Sequence, residues 1–175
     1  MTGRDGTAAQ VLVRASTLAD LTAVDMLLQR SYRQLLKSAY PPSVMVMAVP
    51  LIARAQPDLL SSGTYFVAET ADGRVVGAGG WSARGPGAKH RRQGWGHVRH
   101  FATDVAFVRQ GVGAALMARV VATASDAGLT ALDCLSTRTA VPFYLSQKFR
   151  TLGDVTVGLR PGIVFPAIQL HRPLR

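Results

Sequence analysis

The stretch from Val108 to Leu116, VRQGVGAAL in one-letter code, decides the fold of this chain. After it, Val112, Leu116 and Val120 recur every fourth residue, which predicts an amphipathic helix with its apolar side facing a core. A chain that passes from a strand through Gly-x-Gly into a helix leaves N–H groups at the helix start without intrahelical acceptors. Because these groups and the positive end of the helix macrodipole attract anions, the stretch predicts a phosphate or pyrophosphate site.

The two glycines do not identify such a site by themselves, because an ordinary tight turn between a strand and a helix places glycines in the same way. Two named phosphate motifs are excluded. The chain has no Gly-x-x-x-x-Gly-Lys-Ser/Thr, and Leu116 stands where the dinucleotide fingerprint has its third Gly or Ala. A second stretch, AVPFYLSQKF from Ala140 to Phe149, favours the anion site over an ordinary turn.

Together the two stretches resemble the GNAT superfamily, the acetyl-coenzyme A-dependent N-acetyltransferases. In that family a strand leads into Gln/Arg-x-x-Gly-x-Gly/Ala at a helix start, and a later short helix ends near Phe-Tyr…Gly-Phe. Residues 108–113 and 140–149 match these motifs in the central third of the chain. Two residues depart from the pattern, because Val108 replaces the first Gln/Arg and Lys148 replaces the Gly before Phe149. Neither departure removes the backbone amides of the helix start.

The resemblance implies acetyl-CoA as the cosubstrate and predicts which residues bind it. Backbone groups at the helix start would bind the pyrophosphate, and backbone groups of the fourth strand would contact the thioester carbonyl. The implied cofactor-binding residues are Phe101, Ala102, Thr103, Arg109, Gln110, Gly111, Val112, Gly113 and Ala114. The implied reaction is direct attack of a primary amine on the thioester, with a small molecule or a peptide as the acceptor.

Acetyl transfer needs a proton donor for the departing thiolate and a base for the amine. Tyr144 matches the family tyrosine, and a phenol with a pKa of about 10 can protonate a thiolate; a purely packed core tyrosine is the alternative. His97 is the predicted base because some family members carry a histidine or glutamate near this position. His100 and a chain of water molecules remain alternatives, and Asp104 is expected to orient a histidine or to fix the turn.

Strand alternation on the fourth strand predicts two faces. One face carries His97, Arg99 and Phe101, and the other carries Val98, His100 and Ala102.

Length and composition indicate one globular domain. The chain has 175 residues, 48% of them hydrophobic, which is enough for a sizeable core and too many for a disordered chain. We expect residues 1–10 to form a flexible tail and residues 11–175 to form the N-acetyltransferase domain. No apolar run approaches the roughly 20 residues that span a bilayer, and the start has no signal-peptide hydrophobic region. The protein is therefore expected to be cytoplasmic, with no membrane partner, and a homodimer is left open.

Cysteine and histidine content predicts no metal site, since no Cys/His spacing fits zinc. The single cysteine, Cys134, lies between Leu132 and Leu135 and is interpreted as a small buried hydrophobic residue.

The chain is strongly basic, with 20 Lys and Arg against 10 Asp and Glu and a net charge of +10. The densest basic cluster lies between Arg84 and Arg92, interspersed with glycine and proline, and predicts a surface loop. A basic nucleic-acid-binding protein is therefore one alternative function. No helix-turn-helix or RNA-recognition signature accompanies the loop, so a nucleic-acid partner is not expected. A catalytically idle acyl-CoA-binding module is the other alternative, and family resemblance alone does not select the acceptor.

The predicted elements follow the order β-α-α-β-β-β-α-β-α-β-β. Hairpins combined with one β-α-β crossover predict an α+β fold with a mixed, mostly antiparallel sheet of about seven strands flanked by helices. The GNAT resemblance implies a splay between strands four and five for the pantetheine arm, opened by a bulge. The helix over residues 44–56 is expected to kink or split at Pro50. The predicted strands are 11–15, 63–69, 74–81, 97–104, 131–135, 149–157 and 165–171, and the other predicted helices are 16–36, 111–128 and 139–147.

Overall fold

The computed structural model describes residues 8–85 and 92–175 and folds them around one seven-stranded sheet with the order β1-β2-β3-β4-β5-β7-β6. Neighbouring strands are antiparallel except β4 and β5, which are parallel. The strands are β1 (Leu12–Ala15), β2 (Tyr65–Glu69), β3 (Val75–Ser82), β4 (Trp95–Thr103), β5 (Ala131–Ser136), β6 (Arg150–Arg160) and β7 (Ile163–Pro173). The helices are α1 (Leu21–Leu36), α2 (Pro42–Met47), α3 (Val49–Ile52), α4 (Pro57–Leu60), α5 (Val112–Asp126) and α6 (Val141–Ser146).

This architecture confirms the predicted α+β fold, its element order and its mixed sheet. The helix predicted over residues 44–56 is split, as expected at Pro50, which lies in the first turn of α3. That helical segment ends earlier than predicted, at Ile52, and Pro57 then begins α4. Proline is tolerated at a helix start because the N–H that it lacks has no intrahelical acceptor there.

Helices cover both faces of the sheet and bury separate apolar clusters. On one face, α5 packs Leu116, Met117 and Val120 against the sheet, each fully buried. On the other face, α1 packs Val24 and Leu28 over β2 and β3. A third cluster joins the end of α1 and helices α2 and α3 to the long β6–β7 hairpin. Strand β4 therefore runs between two helical layers.

A bulge in β4 changes which residues face each layer. Strand β3 pairs Ala78 with Ala102 and Gly80 with Arg99, so β4 has one residue more than β3 in this interval. His100, inside the interval, has a φ of +43°. The extra residue shifts the two-residue period by one. The alternation predicted for β4 is therefore wrong beyond Arg99, since Val98 packs in the α5 cluster and Ala102 in the α1 cluster.

The sheet is splayed between β4 and β5, as predicted. The two strands pair only over Trp95–His97 and Ala131–Asp133. Beyond these pairs, β4 continues to Thr103 and β5 to Ser136 without further pairing between them. The bulge in β4 lies at this opening, which leaves two facing strand edges whose backbone groups do not bond each other.

Some predicted features lie outside the described residues. These are residues 1–7 of the predicted tail and residues 86–91 of the basic loop. At the end of that tail, Ala9 is described, and its N–H donates a hydrogen bond to the carbonyl of Gln110 (3.1 Å). None of the helices in the described part of the chain is both long enough and apolar enough to cross a membrane.

Candidate active site

The start of α5 presents a row of free backbone N–H groups. Gly111 precedes the helix with a φ of +84°, a conformation that glycine adopts without strain, and the space around it is open. In the described residues, no carbonyl accepts a hydrogen bond from the N–H groups of residues 110–114. Gly111 and Ala114 are exposed, so a ligand in solution can reach these donors. The helix start therefore has the donors and the macrodipole that an anion requires.

Gly113 has a different reason to lack a side chain. A Cβ at this position would lie 2.9 Å from the ring of Phe143, so α6 packs directly on the backbone of α5. Val112 is buried in the same core, with 1% of its surface exposed. Of the predicted cofactor-binding residues, Gly113 and Val112 can thus offer only their N–H groups to a ligand.

The two departures from the family motifs leave the local backbone intact. Val108 is extended, and its side chain contributes no group to the helix start. Lys148 has a φ of +66°, the left-handed conformation that explains a glycine at the corresponding family position. Lysine adopts it here after the end of α6, so the turn forms with an ordinary residue at some cost in backbone strain.

A cavity of about 140 Å³ lies at the opening between β4 and β5. Its wall includes Tyr32 from α1, Arg99 and Phe101 from either side of the β4 bulge, and Tyr144 from α6. Much of the remaining lining is apolar and comes from α3, β5 and the β6–β7 hairpin. The gap in the sheet thus leads into a partly open, largely apolar space with a few polar groups, the usual composition of a small-molecule site.

Tyr144 lies in this wall with only 4% of its surface exposed. Its ring packs against Phe143, Phe149 and Phe101, with centroid distances of 5.2, 5.3 and 6.3 Å. Burial raises the pKa of Tyr144 well above its usual value, and the neighbouring Cys134 adds to the effect. Burial also raises the pKa of the Cys134 thiol to about 12. The tyrosine hydroxyl is therefore protonated at neutral pH and available as a donor, while Cys134 is a buried thiol, as the sequence predicted.

Hydroxyl groups from outside β4 hold the backbone of its bulge. Tyr65 donates a hydrogen bond to the carbonyl of His100 (2.7 Å), and Tyr32 lies 3.5 Å from the carbonyl of Phe101. Ser31 donates to the carbonyl of Thr103 (2.9 Å). Sequence reasoning did not identify these donors, since they lie far along the chain from β4. The fold brings them there, because β2 lies one strand away from β4 and α1 packs over the sheet.

His97 lies on the sheet beside the cavity but is not part of its described lining. It pairs in register with Asp133 of β5, and its Nε2 is buried without a hydrogen-bond partner among the described residues. Burial lowers the pKa of His97, and the nearby Asp133 opposes this shift in part. Asp133 is bound instead to Nδ1 of His171 (2.7 Å). Its lowered pKa favours the neutral imidazole, and Nε2 has no partner in the part of the chain that the structure describes.

The structure also places His100 and Asp104, the two other polar residues that the sequence suggested for the site. His100 lines the cavity at the bulge, and burial lowers its pKa to about 4. Asp104 fixes the turn after β4, because its carboxylate accepts a hydrogen bond from the N–H of Ala106 (2.9 Å) and pairs with Arg74 (2.7 Å). Of the two roles predicted for Asp104, the structure shows the turn, and among the described residues no histidine bonds its carboxylate.

No cluster of metal-ligating side chains occurs in residues 8–85 and 92–175. Most of the basic loop lies outside these ranges. At its far end, the guanidinium of Arg92 stacks over the ring of Trp95 at 4.0 Å.

Comparison with known proteins gives matches to a family and to solved structures. Residues 46–165 match the model of the "Acetyltransferase (GNAT) domain" family. Comparison with curated protein sequences gives no match.

Solved structures with the same fold include acetyltransferases crystallised with coenzyme A. A GCN5-related N-acetyltransferase from Rhodopseudomonas palustris has a TM-score of 0.76 at 15% identity, over 95% of this chain and 98% of that one. The PaiA N-acetyltransferase of Thermoplasma acidophilum, in complex with coenzyme A, has a TM-score of 0.70 at 11% identity, over 94% and 99% of the chains. N-acetylglutamate synthase from Neisseria gonorrhoeae, with coenzyme A and N-acetyl-glutamate, has a TM-score of 0.63 at 16% identity. The match covers 95% of this chain and 36% of that one.

Proposed function

This chain belongs to the GNAT acetyltransferase family, and from that premise we propose that it transfers the acetyl group of acetyl-CoA to a primary amine. The observation that carries the proposal is the juxtaposition of two features of the fold. The free N–H groups lie at the start of α5, where Gly113 packs on the ring of Phe143, and that ring lies 5.6 Å from Phe101 in the wall of the cavity between β4 and β5. A long donor with a pyrophosphate and an extended arm fits this pair of features.

The N–H groups of residues 110–114 bind the pyrophosphate, since they have no other acceptor among the described residues. The unpaired edges of β4 and β5 would hold the pantetheine arm, because their backbone groups could bond its amides as they would bond an added strand. Bound acetyl-CoA supplies an activated thioester for the reaction. The backbone from Phe101 to Thr103 belongs to the part of β4 that does not pair with β5, and its polar groups would contact the thioester carbonyl.

Tyr144 donates its hydroxyl proton to the sulfur of the departing thiolate. Its raised pKa keeps the proton in place until negative charge develops on the sulfur, and its burial excludes competing water. The packed aromatic rings around it fix the direction of the hydroxyl. The ring therefore contributes to both packing and proton donation.

His97 receives the proton of the attacking amine through a water molecule. Its lowered pKa keeps the imidazole neutral near pH 7, and its buried Nε2 has no described partner that competes for a proton. The unpaired nitrogen is the reason to prefer His97 over His171, whose Nδ1 is already bound to Asp133. One residue thus removes a proton from the amine and another returns one to the thiolate.

Thermal unfolding with and without acetyl-CoA, followed by thiol release across amines, amino acids, aminoglycosides and peptides, tests the proposal. A ligand that binds only the folded protein raises its melting temperature, so we expect a shift at millimolar acetyl-CoA and thiol release with at least one amine. A shift without release on any amine identifies an acyl-CoA-binding module instead. No shift contradicts both functions, and nucleic-acid affinity that falls steeply with salt is then the observation to seek.

A further inference from the structure

Arg99 places a positive charge on the wall of the cavity. It lies in β4 directly before the bulge and lines the same space as Tyr144. Its guanidinium donates hydrogen bonds from Nη1 to Oγ of Ser82 (2.9 Å) and the carbonyl of Arg84 (3.2 Å). From Nη2 it donates to Oε1 of Gln56 (3.1 Å). These bonds hold the guanidinium at the edge of the cavity in a defined orientation.

All of these acceptors are uncharged. In the described part of the chain, no carboxylate forms an ion pair with Arg99, although other arginines such as Arg14 and Arg74 have such pairs. The neighbouring loop cannot supply one, because residues 84–92 read RGPGAKHRR and contain no acidic residue. The side chain is also half-buried, and burial lowers the pKa of Arg99. Among the described residues, Arg99 is therefore a half-buried cation without a counter-ion beside the cavity.

A charge withdrawn from water without a partner is costly, and a ligand of opposite charge removes that cost. The planar guanidinium fork matches a carboxylate in particular, since two parallel N–H groups can bond its two oxygens. The rest of the cavity favours a different chemistry, because residues such as Ile52, Leu159 and Phe165 line it with hydrocarbon. Its volume of about 140 Å³ restricts the part of the ligand that it encloses to a small group.

We propose that the acceptor is a small primary amine that carries a carboxylate on an otherwise apolar body, and that Arg99 binds this carboxylate. The inference rests on the proposed acetyl transfer and adds the chemical class of the acceptor. In the reaction the amine nitrogen bonds the acetyl carbon and the carbon–sulfur bond of the thioester breaks. The amine gives up one proton, the thiolate gains one, and the carboxylate is unchanged.

Pairs of amines that differ only by a carboxylate test this assignment. L-leucine is compared with 3-methylbutylamine, and 6-aminohexanoate with pentylamine, by thiol release from acetyl-CoA. We expect the protein to prefer the carboxylate member of at least one pair. In Arg99→Gln, kcat/KM for that member should fall roughly 10²-fold, the loss of a charge-assisted, two-point contact, while kcat/KM for its uncharged partner changes less than about twofold. Arg99→Lys should restore part of the loss, because it keeps the charge without the fork.

Arg119→Gln is the matched control. Arg119 is exposed on α5, which packs against the opposite face of the sheet, so the variant changes the net charge equally and should leave both pairs unaffected. An Arg99→Gln variant that loses activity equally on both members of a pair overturns the proposal, since it assigns Arg99 a structural role. A parent enzyme that uses the uncharged amines equally well overturns it too.

A binding measurement separates this inference from the proposed function. N-acetyl-L-leucine and N-acetyl-L-leucinamide are titrated calorimetrically into the protein with coenzyme A present. Binding of the acid alone, lost in Arg99→Gln, supports the carboxylate site even if no amine is acetylated, an outcome that would contradict only the acetyl transfer. Equal binding of acid and amide, binding of neither, or binding unaffected by Arg99→Gln contradicts the carboxylate site even if amines are acetylated.

Discussion

Burial holds the titratable side chains around the cavity in their uncharged forms. It raises the pKa values of Tyr144 and Cys134, and it lowers those of His97 and His100. The result at neutral pH is a protonated phenol and neutral imidazoles, the states that a proton donor and a proton acceptor require. Arg99 differs, because a guanidinium stays charged through the accessible pH range even when burial lowers its pKa.

Replacing Tyr144 by Phe removes the hydroxyl and keeps the ring. If the hydroxyl protonates the thiolate, its interaction strengthens in the transition state, so kcat should fall by roughly 10²-fold while acetyl-CoA affinity barely changes. Steady-state kinetics at saturating amine and calorimetric titration measure the two effects. Tyr144→Ala serves as the packing control and should lose about 3 kcal/mol of stability through the cavity that it leaves. Parental turnover by Tyr144→Phe contradicts the proton-donor role.

His97 should set the acid side of the pH profile. A base acts in its neutral form, so kcat/KM should fall as the pH drops through the pKa of His97, which burial places below 6.5. His97→Gln should lower kcat/KM by roughly 10²-fold and remove this acid limb. His171→Gln is the matched control, since Nδ1 of His171 is already bound to Asp133. An acid limb that persists in His97→Gln assigns the base to another group or to water.

The motif residues could be identified from the sequence, but the structural reason why each position needs its residue could not. Gly111 and Gly113 look equivalent in the sequence, yet one provides a left-handed backbone and the other makes room for Phe143. The distinction depends on how α6 packs on α5, which local sequence does not encode. Tyr144 could be proposed from the sequence because its motif is local, whereas the role proposed for Arg99 depends on which described residues of other elements surround it.

At the scale of elements, α5 has two parts with different roles, a first turn with unbonded N–H groups and later turns with a buried apolar side. Its first turn exposes donors at residues 110–114, and its later turns pack Leu116 and Val120 into the core. The core fixes the helix, so the orientation of the donors does not depend on a ligand. Preorganised donors bind an anion without an ordering cost at the moment of binding.

Ala114→Glu tests these donors without disturbing packing, because Ala114 is exposed. A carboxylate in the first turn occupies the positive region of the helix and repels a pyrophosphate, so acetyl-CoA affinity should fall by at least about tenfold. The same change at Ala122, an exposed position two turns further on, is the control and should leave affinity unchanged. Calorimetric titration at low salt measures both. Equal affinities in the two variants place the pyrophosphate elsewhere.

The order of elements followed from periodicity, but the bulge did not. Alternation along β4 predicted one face for Val98 and Ala102, and the extra residue near His100 places them in different cores. Histidine is found at positive φ more often than most residues, but few histidines adopt this conformation, so the residue type alone does not mark the position. The bulge is held by Tyr65 and Tyr32, whose hydroxyl groups reach it only after the sheet and α1 have formed.

For the whole molecule, the buried neutral histidines of the site make the free energy of unfolding depend on pH in the acid range. Burial lowers the folded-state pKa of His100 to about 4, below the ordinary histidine value of 6.5. Above pH 6.5 the imidazole is neutral in both states, and as the pH falls from 6.5 toward 4 the unfolded chain binds the proton first. The free energy of unfolding therefore decreases over this window.

His100→Asn tests this linkage, since asparagine tolerates positive φ and does not titrate. Between pH 7 and pH 4.5 the parent should lose about 2 kcal/mol more stability than the variant, as the shift in the pKa of His100 requires. Urea unfolding at the two pH values measures the difference. Identical pH dependence in parent and variant would show that His100 does not carry the effect.

The opening between β4 and β5 also divides the sheet into two parts that can move relative to each other. Only three residue pairs, between Trp95–His97 and Ala131–Asp133, connect strands β1–β4 with strands β5–β7 through the hydrogen-bond ladder. A sheet with such a narrow seam can flex there, so the two halves exchange amide hydrogens more independently than halves of a continuous sheet. Acetyl-CoA bound in the opening would connect the two parts of the sheet for as long as it stays bound. We expect it to slow exchange on both sides of the seam together, including at strands that it does not touch.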